Sequence, residues 1–239
     1  MTIEGKNAVS ELIKTQKTID KVLVQNGLRD EASRSLVNAL REQGVKVSYA
    51  DKSVLDKQSK TGGRHQGFIA FVTDFEYCDL EDIIDNCKDR DCFILILDGI
   101  EDPHNLGSII RVAECAGIDG IVIGKHRSAG VTDTVMRISE GGANHVAIAR
   151  VTNINNAVDR LKEVGVWVYG LELGGCDLYK TNLKGRLGLI IGGEDTGINR
   201  LTKQKCDGIV SIKMHGKVNS LNASVATGVA VFEALRQRN

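Results

Sequence analysis

The chain has one proline, Pro103, and only 4% aromatic residues in 239. No proline-rich or low-complexity tract is present, and aromatics are too sparse for a base-stacking platform of the RNP type. Formal net charge is zero, so no global field marks a nucleic-acid binder. There is no secretory apolar stretch at the start and no apolar run long enough to span a bilayer. The six cysteines form no C-x-x-C pair and no Cys/His cluster with zinc spacing. The expectation is a soluble cytoplasmic protein without a metal, its thiols reduced and mostly buried.

What is present is uneven. Hydrophobic residues make up 42%, enough for a real core. Residues 1–72 carry 12 Lys/Arg against 8 Asp/Glu, and residues 74–91 carry 2 against 8. Residues 92–239 carry 17 against 15, so an acidic stretch separates two mildly basic ones. Apolar periodicity predicts two α/β regions. In 1–73, helices at Asn7–Ile13, Glu31–Glu42 and Lys52–Gln58 alternate with strands at Lys21–Gln25, Val45–Tyr49 and Phe68–Val72, a unit of βαβαβ type. The acidic 74–91 reads as a linker holding a short helix over Leu80–Cys87. In 92–239, strands at 93–97, 118–123, 146–149, 166–171, 187–191 and 209–212 alternate with helices, closing on Leu221–Gln237. That alternation predicts a parallel sheet covered on both faces.

Three strand-end segments stand out. In the first, the apolar strand ending at Leu97 is followed by a polar loop and then Asn105-Leu106-Gly107-Ser108-Ile109-Ile110-Arg111. Ligands of open α/β sheets bind at such carboxyl ends. Asn105 fits either a helix cap or a ligand contact. Arg111, flanked by Ile109, Ile110, Val112 and Ala113, is read as functional over a solvated-face residue. In the second, Leu189-Ile190-Ile191 meets Gly192-Gly193-Glu194. The glycines permit close approach of a backbone or a ligand, but a lone Gly-Gly-Glu is neither a dinucleotide fingerprint nor a P-loop. The third is Ile212-Lys213-Met214-His215-Gly216, then Ser220-Leu221-Asn222-Ala223-Ser224 opening the last helix. Ser and Asn there fit N-caps as well as a ligand-gripping helix end.

Taken in order, these segments resemble the three motifs of the SpoU (TrmH-like) family of RNA ribose 2′-O-methyltransferases in the SPOUT superfamily. Asn105, Gly107 and Arg111 match the first motif, Gly192, Glu194 and Gly197 the second, and Ile212, Met214, Gly216, Ser220, Leu221, Asn222 and Ser224 the third. Gly5-Lys6-Asn7-Ala8-Val9 and His65-Gln66-Gly67 are similar to the ends of the family's small N-terminal substrate-binding domain. Lys213 stands where the third motif has proline, and Ala223 where it has a β-branched residue. Size and layout most resemble the subgroup that methylates a guanosine of large-subunit (23S) rRNA.

The resemblance implies an α/β chain in two domains. A ribosomal-protein-like RNA-binding domain spans 1–73, and a methyltransferase domain with a deep C-terminal trefoil knot spans 92–239. It implies S-adenosylmethionine as cofactor, held by Leu171, Glu172, Gly192, Gly193, Ile212, Met214 and Leu221. It places Asn105, Glu194, Ser220 and Asn222 around the ribose and Arg111, and it implies a homodimer. It also casts Arg111 as the base. A guanidinium pKa above about 12 makes that chemically awkward, so Arg111 is better read as binding a phosphate and stabilising alkoxide charge. Glu194 is left to pair with Arg111 or with a partner-subunit group. Arg200, Lys203, Lys205, Lys213 and Lys217 fit RNA phosphates or a solvated face equally well. The alternatives are the same reaction on tRNA or on an rRNA site conferring antibiotic resistance. A different-class alternative is a non-catalytic RNA-binding or ribosome-assembly factor.

Overall fold

The computed structural model describes every residue except Gln16, Lys17, Asp74 and Asp195, and only the backbone of Thr18. It divides into two units, Met1–Glu76 and Tyr77–Asn239.

In the first unit the elements are β1 (Thr2–Glu4), α1 (Lys6–Leu12), β2 (Thr18–Gln25), α2 (Glu31–Glu42), β3 (Lys46–Ala50), α3 (Lys52–Gln58) and β4 (Phe68–Thr73). The sheet order is β1-β4-β2-β3. β2 and β3 are parallel, as the βαβ reading expects, but β4 runs antiparallel to both β1 and β2. The preceding loop reverses the chain through positive-φ Gly62, Gly63, Gln66 and Gly67. α2 starts at Asp30, whose side chain accepts from the Ser33 N–H. Its Leu36, Val37 and Leu40 bury against Val22, Val24, Phe68 and Ala70.

In the second unit follow α4 (Leu80–Asn86), β5 (Phe93–Asp98), α5 (Pro103–Cys115), β6 (Gly120–Gly124), α6 (Asp133–Ile138), β7 (Ile148–Val151), α7 (Ile154–Glu163), β8 (Trp167–Asp177), β9 (Leu187–Gly192), α8 (Arg200–Lys205), β10 (Gly208–Ser211) and α9 (Ala223–Arg238). Six parallel strands take the order β10-β8-β9-β5-β6-β7. Side chains alternate across them. Ile94, Ile96, Val122, Val168 and Ile190 pack with Ile83 of α4 and with Val158 and Leu161 of α7. α5 and α9 pack on each other, and α9 also meets β9.

The acidic stretch is not a free linker. Residues 77–91 belong to the second unit, where Ile83 and Ile84 are core residues and Cys78 bridges to Ala149. The charge lies on the solvent side of an amphipathic helix, and the start of the expected linker, Asp74, lies outside the described residues. The thiols are less buried than expected. Cys87 and Cys92 are buried, Cys78 and Cys206 half-buried, and Cys115 and Cys176 exposed. Among the described residues no helix is long and apolar enough to cross a membrane, and no group of three His, Cys, Asp or Glu is placed to hold a metal.

Candidate active site

The chain turns away from β5 on one side to β6 and on the other to β9, which makes the carboxyl ends of β5 and β9 the reversal point where open sheets bind ligands. There the backbone is pressed against itself. The Gly193 N–H donates to the Asp98 carbonyl (3.0 Å), the Gly197 N–H donates to the Gly193 carbonyl (2.8 Å), and the Asn199 N–H donates to Asp98 Oδ2 (2.8 Å). A Cβ on Gly193 would overlap the Gly99 carbonyl, and one on Gly192 would overlap the backbone of Gly197 and Ile198. Both glycines are therefore required by chain-on-chain contact before any ligand is considered.

These tight passes leave a cleft of about 480 Å³. β8 contributes Leu171, Glu172 and Leu173, and the end of β9 contributes Ile191, Gly192, Gly193 and Glu194. Ile212 and Met214 enter after β10, and Ser220, Leu221 and Asn222 at the start of α9. Ten of the twelve site residues expected from sequence thus line one cleft. Leu173, Thr196 and Ala226 join them without having been singled out. Lys213, the departure from the motif proline, is exposed and lines a smaller neighbouring cleft with Met214 and Asn219.

Asn105 is tied in from below. It is 6% exposed, and its Oδ1 accepts from Asn222 Nδ2 at 2.9 Å. It does not cap α5. That role belongs to Asp102, which accepts from the His104 N–H and precedes Pro103 at the first helical position. Asn222 caps α9, its Oδ1 accepting from the Ser224 and Val225 N–H groups. One side chain–side chain hydrogen bond therefore couples the first turns of two helices, and the start of α9 lines the cleft.

Arg111 stands apart. Its side chain is 52% exposed and its Nη1 pairs with Glu140 at 2.7 Å, outside the cleft lining. Six residues beyond Asn105, it lies about 9 Å further along α5. The apolar flanks that marked it in sequence point elsewhere, since Ile109, Ile110 and Ala113 are buried. The expected cationic set also divides. Lys203 pairs with Glu172 (2.9 Å) and Lys205 with Asp159, whereas Arg200, Lys213 and Lys217 are exposed.

Comparison with known proteins decides the family. Residues 92–232 match the SpoU rRNA Methylase family, and residues 2–78 match the RNA 2′-O ribose methyltransferase substrate binding family. The chain belongs to the SpoU rRNA methylase family. A Staphylococcus haemolyticus protein assigned to the TrmH family of tRNA/rRNA methyltransferases is 40% identical over 242 residues, covering 100% of this chain and 96% of that one. Its Bacillus subtilis counterpart YacO is 40% identical over 240 residues, covering 98% and 95%. The SpoU methyltransferase AviRb of Streptomyces viridochromogenes, solved with AdoMet, superposes with a TM-score of 0.63 at 24% identity, covering 99% of this chain and 90% of AviRb. An AdoMet-bound rRNA methyltransferase of Sinorhizobium meliloti gives 0.63 at 23%, covering 98% and 86%. At those identities the solved structures speak for the fold. The relatives' names stop at tRNA/rRNA methyltransferase and specify no nucleotide. Between the two family matches lie residues 79–91, most of them the helix α4 that packs into the core of the methylase unit.

Proposed function

We propose that this chain transfers the methyl group of S-adenosylmethionine to a ribose 2′-hydroxyl of RNA, with a guanosine of 23S rRNA as acceptor. The observation that carries the reading is the one cleft in which β8, the end of β9, the segment after β10 and the start of α9 converge. Its residues fit the cofactor. Leu171, Ile212, Met214 and Leu221 offer apolar faces for a flat adenine, and Gly192 and Gly193 bring bare backbone to the same wall. The cofactor supplies a methyl group already activated on a sulfonium. The chain then has to orient the acceptor oxygen and ease the loss of its proton.

In this reading Asn105, Glu194, Ser220 and Asn222 form the polar shell around the ribose, the Asn105–Asn222 hydrogen bond fixing two of its members. Arg111 leaves Glu140 for an RNA phosphate and stabilises charge developing on the 2′-oxygen. The phosphate or a water takes the proton. The first unit, with its basic excess, binds the RNA in the cytoplasm, and the second folds as a trefoil knot. The close passes of 192–199 against 98–99 support that topology. A homodimer forms over α5 and α9, where Val225 (51%) and Phe232 (49%) are exposed beside half-buried Val112.

The test is incubation with methyl-labelled S-adenosylmethionine and, separately, unmodified large-subunit rRNA and tRNA, followed by mapping of alkali-resistant positions. Label on one rRNA guanosine is the expected result. Label on tRNA alone overturns the substrate and keeps the reaction, and absence of cofactor binding overturns both.

A further inference from the structure

A second cleft, of about 740 Å³, adjoins the first and shares Glu172, Thr196 and Gly197 with it. Its other walls come from the ends of β5 and β6 and the starts of α7 and α8. The two clefts differ in chemistry. Leu171, Ile191, Ile212, Met214 and Leu221 give the first an apolar wall, whereas Ile154 and Ile198 are the only apolar side chains on the described lining of the second. Small-molecule sites are predominantly apolar. No aromatic ring is among these described lining residues, so nothing there stacks a base. What the second cleft offers is positive charge on fixed backbone.

The loop after β6 carries Lys125, His126 and Arg127 in succession, all exposed. Three hydrogen bonds pin it. The Lys125 N–H donates to the Val151 carbonyl (2.8 Å), the Ala129 N–H to the Ile100 carbonyl (2.7 Å) and the Val131 N–H to Tyr77 Oη (2.8 Å). Arg127 sits at φ +50, an uncommon conformation for a residue with a side chain. On the α8 wall, the backbone on either side of Arg200 is tied down as well. The Asn199 N–H donates to Asp98 Oδ2 (2.8 Å) and the Leu201 N–H to Asn199 Oδ1 (3.1 Å). Arg127 and Arg200 both line the cleft, and neither has an ion-pair partner among the described residues. Of the acids on the same lining, Asp98 is engaged by the Asn199 N–H, Glu172 pairs with Lys203 (2.9 Å), and Glu101 is exposed to water. Two unpaired guanidinium groups on one concave surface attract an anion.

We propose that this cleft carries the RNA strand next to the methylated nucleotide, with Arg127 and Arg200 each holding a phosphate; the inference rests on the methyltransferase reading above. The edge shared at Thr196 and Gly197 lets a strand whose ribose lies at the cofactor continue into the second cleft. Phosphate contacts position a strand and carry no sequence information, which suits a lining with cations and no stacking ring. The proposal gives a role to the loop after β6, which lies in none of the three motif segments.

The full chain is saturated with S-adenosylhomocysteine, and its affinity for unmodified large-subunit rRNA and, separately, tRNA is measured by filter binding between about 50 and 200 mM KCl. Each phosphate contact to a single strand adds about 0.7 to the slope of log affinity against log salt. With whichever RNA binds tighter, Arg127→Ala and Arg200→Ala are each expected to bind about fivefold more weakly. Each should lose about 0.7 of slope, and the double variant about 1.4. Arg127→Lys should restore the slope, because counterion release counts charge. Lys184→Ala is the control. That exposed cation precedes β9, at the amino end of the sheet, and its loss should change nothing. S-adenosylhomocysteine affinity in calorimetry should be the same in every variant. Slopes unchanged in both alanine variants, a slope that lysine fails to restore, or an equal loss in Lys184→Ala overturns the proposal. A loss confined to one arginine overturns the assignment of the cleft, and so does an unaltered protein that binds neither RNA. If S-adenosylhomocysteine fails to bind the unaltered protein while both arginine effects persist, the methyltransferase reading falls and the RNA cleft stands.

Discussion

The proposed cofactor cleft and the Arg111 face of α5 belong to one unit, yet they are built by opposite means. The cleft is made of backbone. Its shape follows from strand ends locked by the Gly193–Asp98 and Gly197–Gly193 hydrogen bonds, with no room for a Cβ at Gly192 or Gly193. The Arg111 face is made of one long side chain, half-exposed and held by an exposed acid. Rigid backbone is organised before any ligand arrives. An exposed ion pair is worth little and exchanges readily. On the proposed reading the cofactor wall is preformed by backbone, whereas the arginine would be placed by the phosphate it binds.

The largest expected effect breaks the two apart. Arg111→Ala is expected to lower the single-turnover methylation rate by about 10²–10³-fold, the scale for removing one transition-state charge stabiliser. S-adenosylhomocysteine affinity should stay within about twofold. A parallel loss of affinity in calorimetry would show that the arginine is part of the cofactor site and that the division is false. Next in size is the converse. In Gly193→Ala the added methyl meets the Gly99 carbonyl, and overpacking of this kind costs about 1–3 kcal/mol. Cofactor affinity is therefore expected to fall by about 10–100-fold. Unchanged affinity would mean that the β9 end yields and that the cleft is not preformed.

The same contrast explains what the sequence disclosed. The cleft's residues are those the family resemblance implies: Gly192, Gly193, Glu194, Ile212, Met214, Ser220, Leu221 and Asn222 lie in the second and third motif segments, and Leu171 and Glu172 follow from their place at the end of an apolar strand. α2 and α3 have the bounds that periodicity gives them. β8 runs six residues past its apolar part, to Asp177, because Glu172–Asp177 pairs partly with β10 across a bulge rather than burying an alternating face. α8 shows no apolar period, and β1 is only three residues long, so neither left a signal. The surroundings of Arg111 were not legible, for a geometric reason. Successive helical residues point about 100° apart, so apolar neighbours in sequence say nothing of an arginine's surroundings. Its partner Glu140 lies in a later turn at φ +51, which no local pattern reveals.

Asn222 ties the cleft to the buried first turn of α5, and its loss should affect both. Asn222→Ala removes the cap of α9, worth about 1 kcal/mol, and leaves the buried Asn105 oxygen without its donor, worth about 1–3 kcal/mol. The methylase unit should lose about 2–4 kcal/mol in denaturant titration, and cofactor affinity and rate should each fall by about tenfold. Asn222→Ser separates the contributions. A serine caps nearly as well but is too short to hold Asn105, so stability should recover by about half while the rate does not. Full recovery of both would show that the Asn105–Asn222 bond is incidental.

The smallest effect sharpens the comparison most. Arg111 and Glu140 are 52% and 65% exposed, so their ion pair should contribute less than about 1 kcal/mol and be screened by salt. Glu140→Gln should leave stability within about 0.5 kcal/mol of the unaltered protein. If the acid holds Arg111 in reserve, removing it frees the guanidinium for phosphate, and kcat/KM for RNA should rise by up to about fivefold at low ionic strength. That gain should fade as salt approaches 1 M, where the screening length shrinks to about 3 Å. A fall in kcat/KM would reverse the assignment. Glu140 would then be orienting Arg111 toward the reaction, and both sides of the comparison would be preorganised.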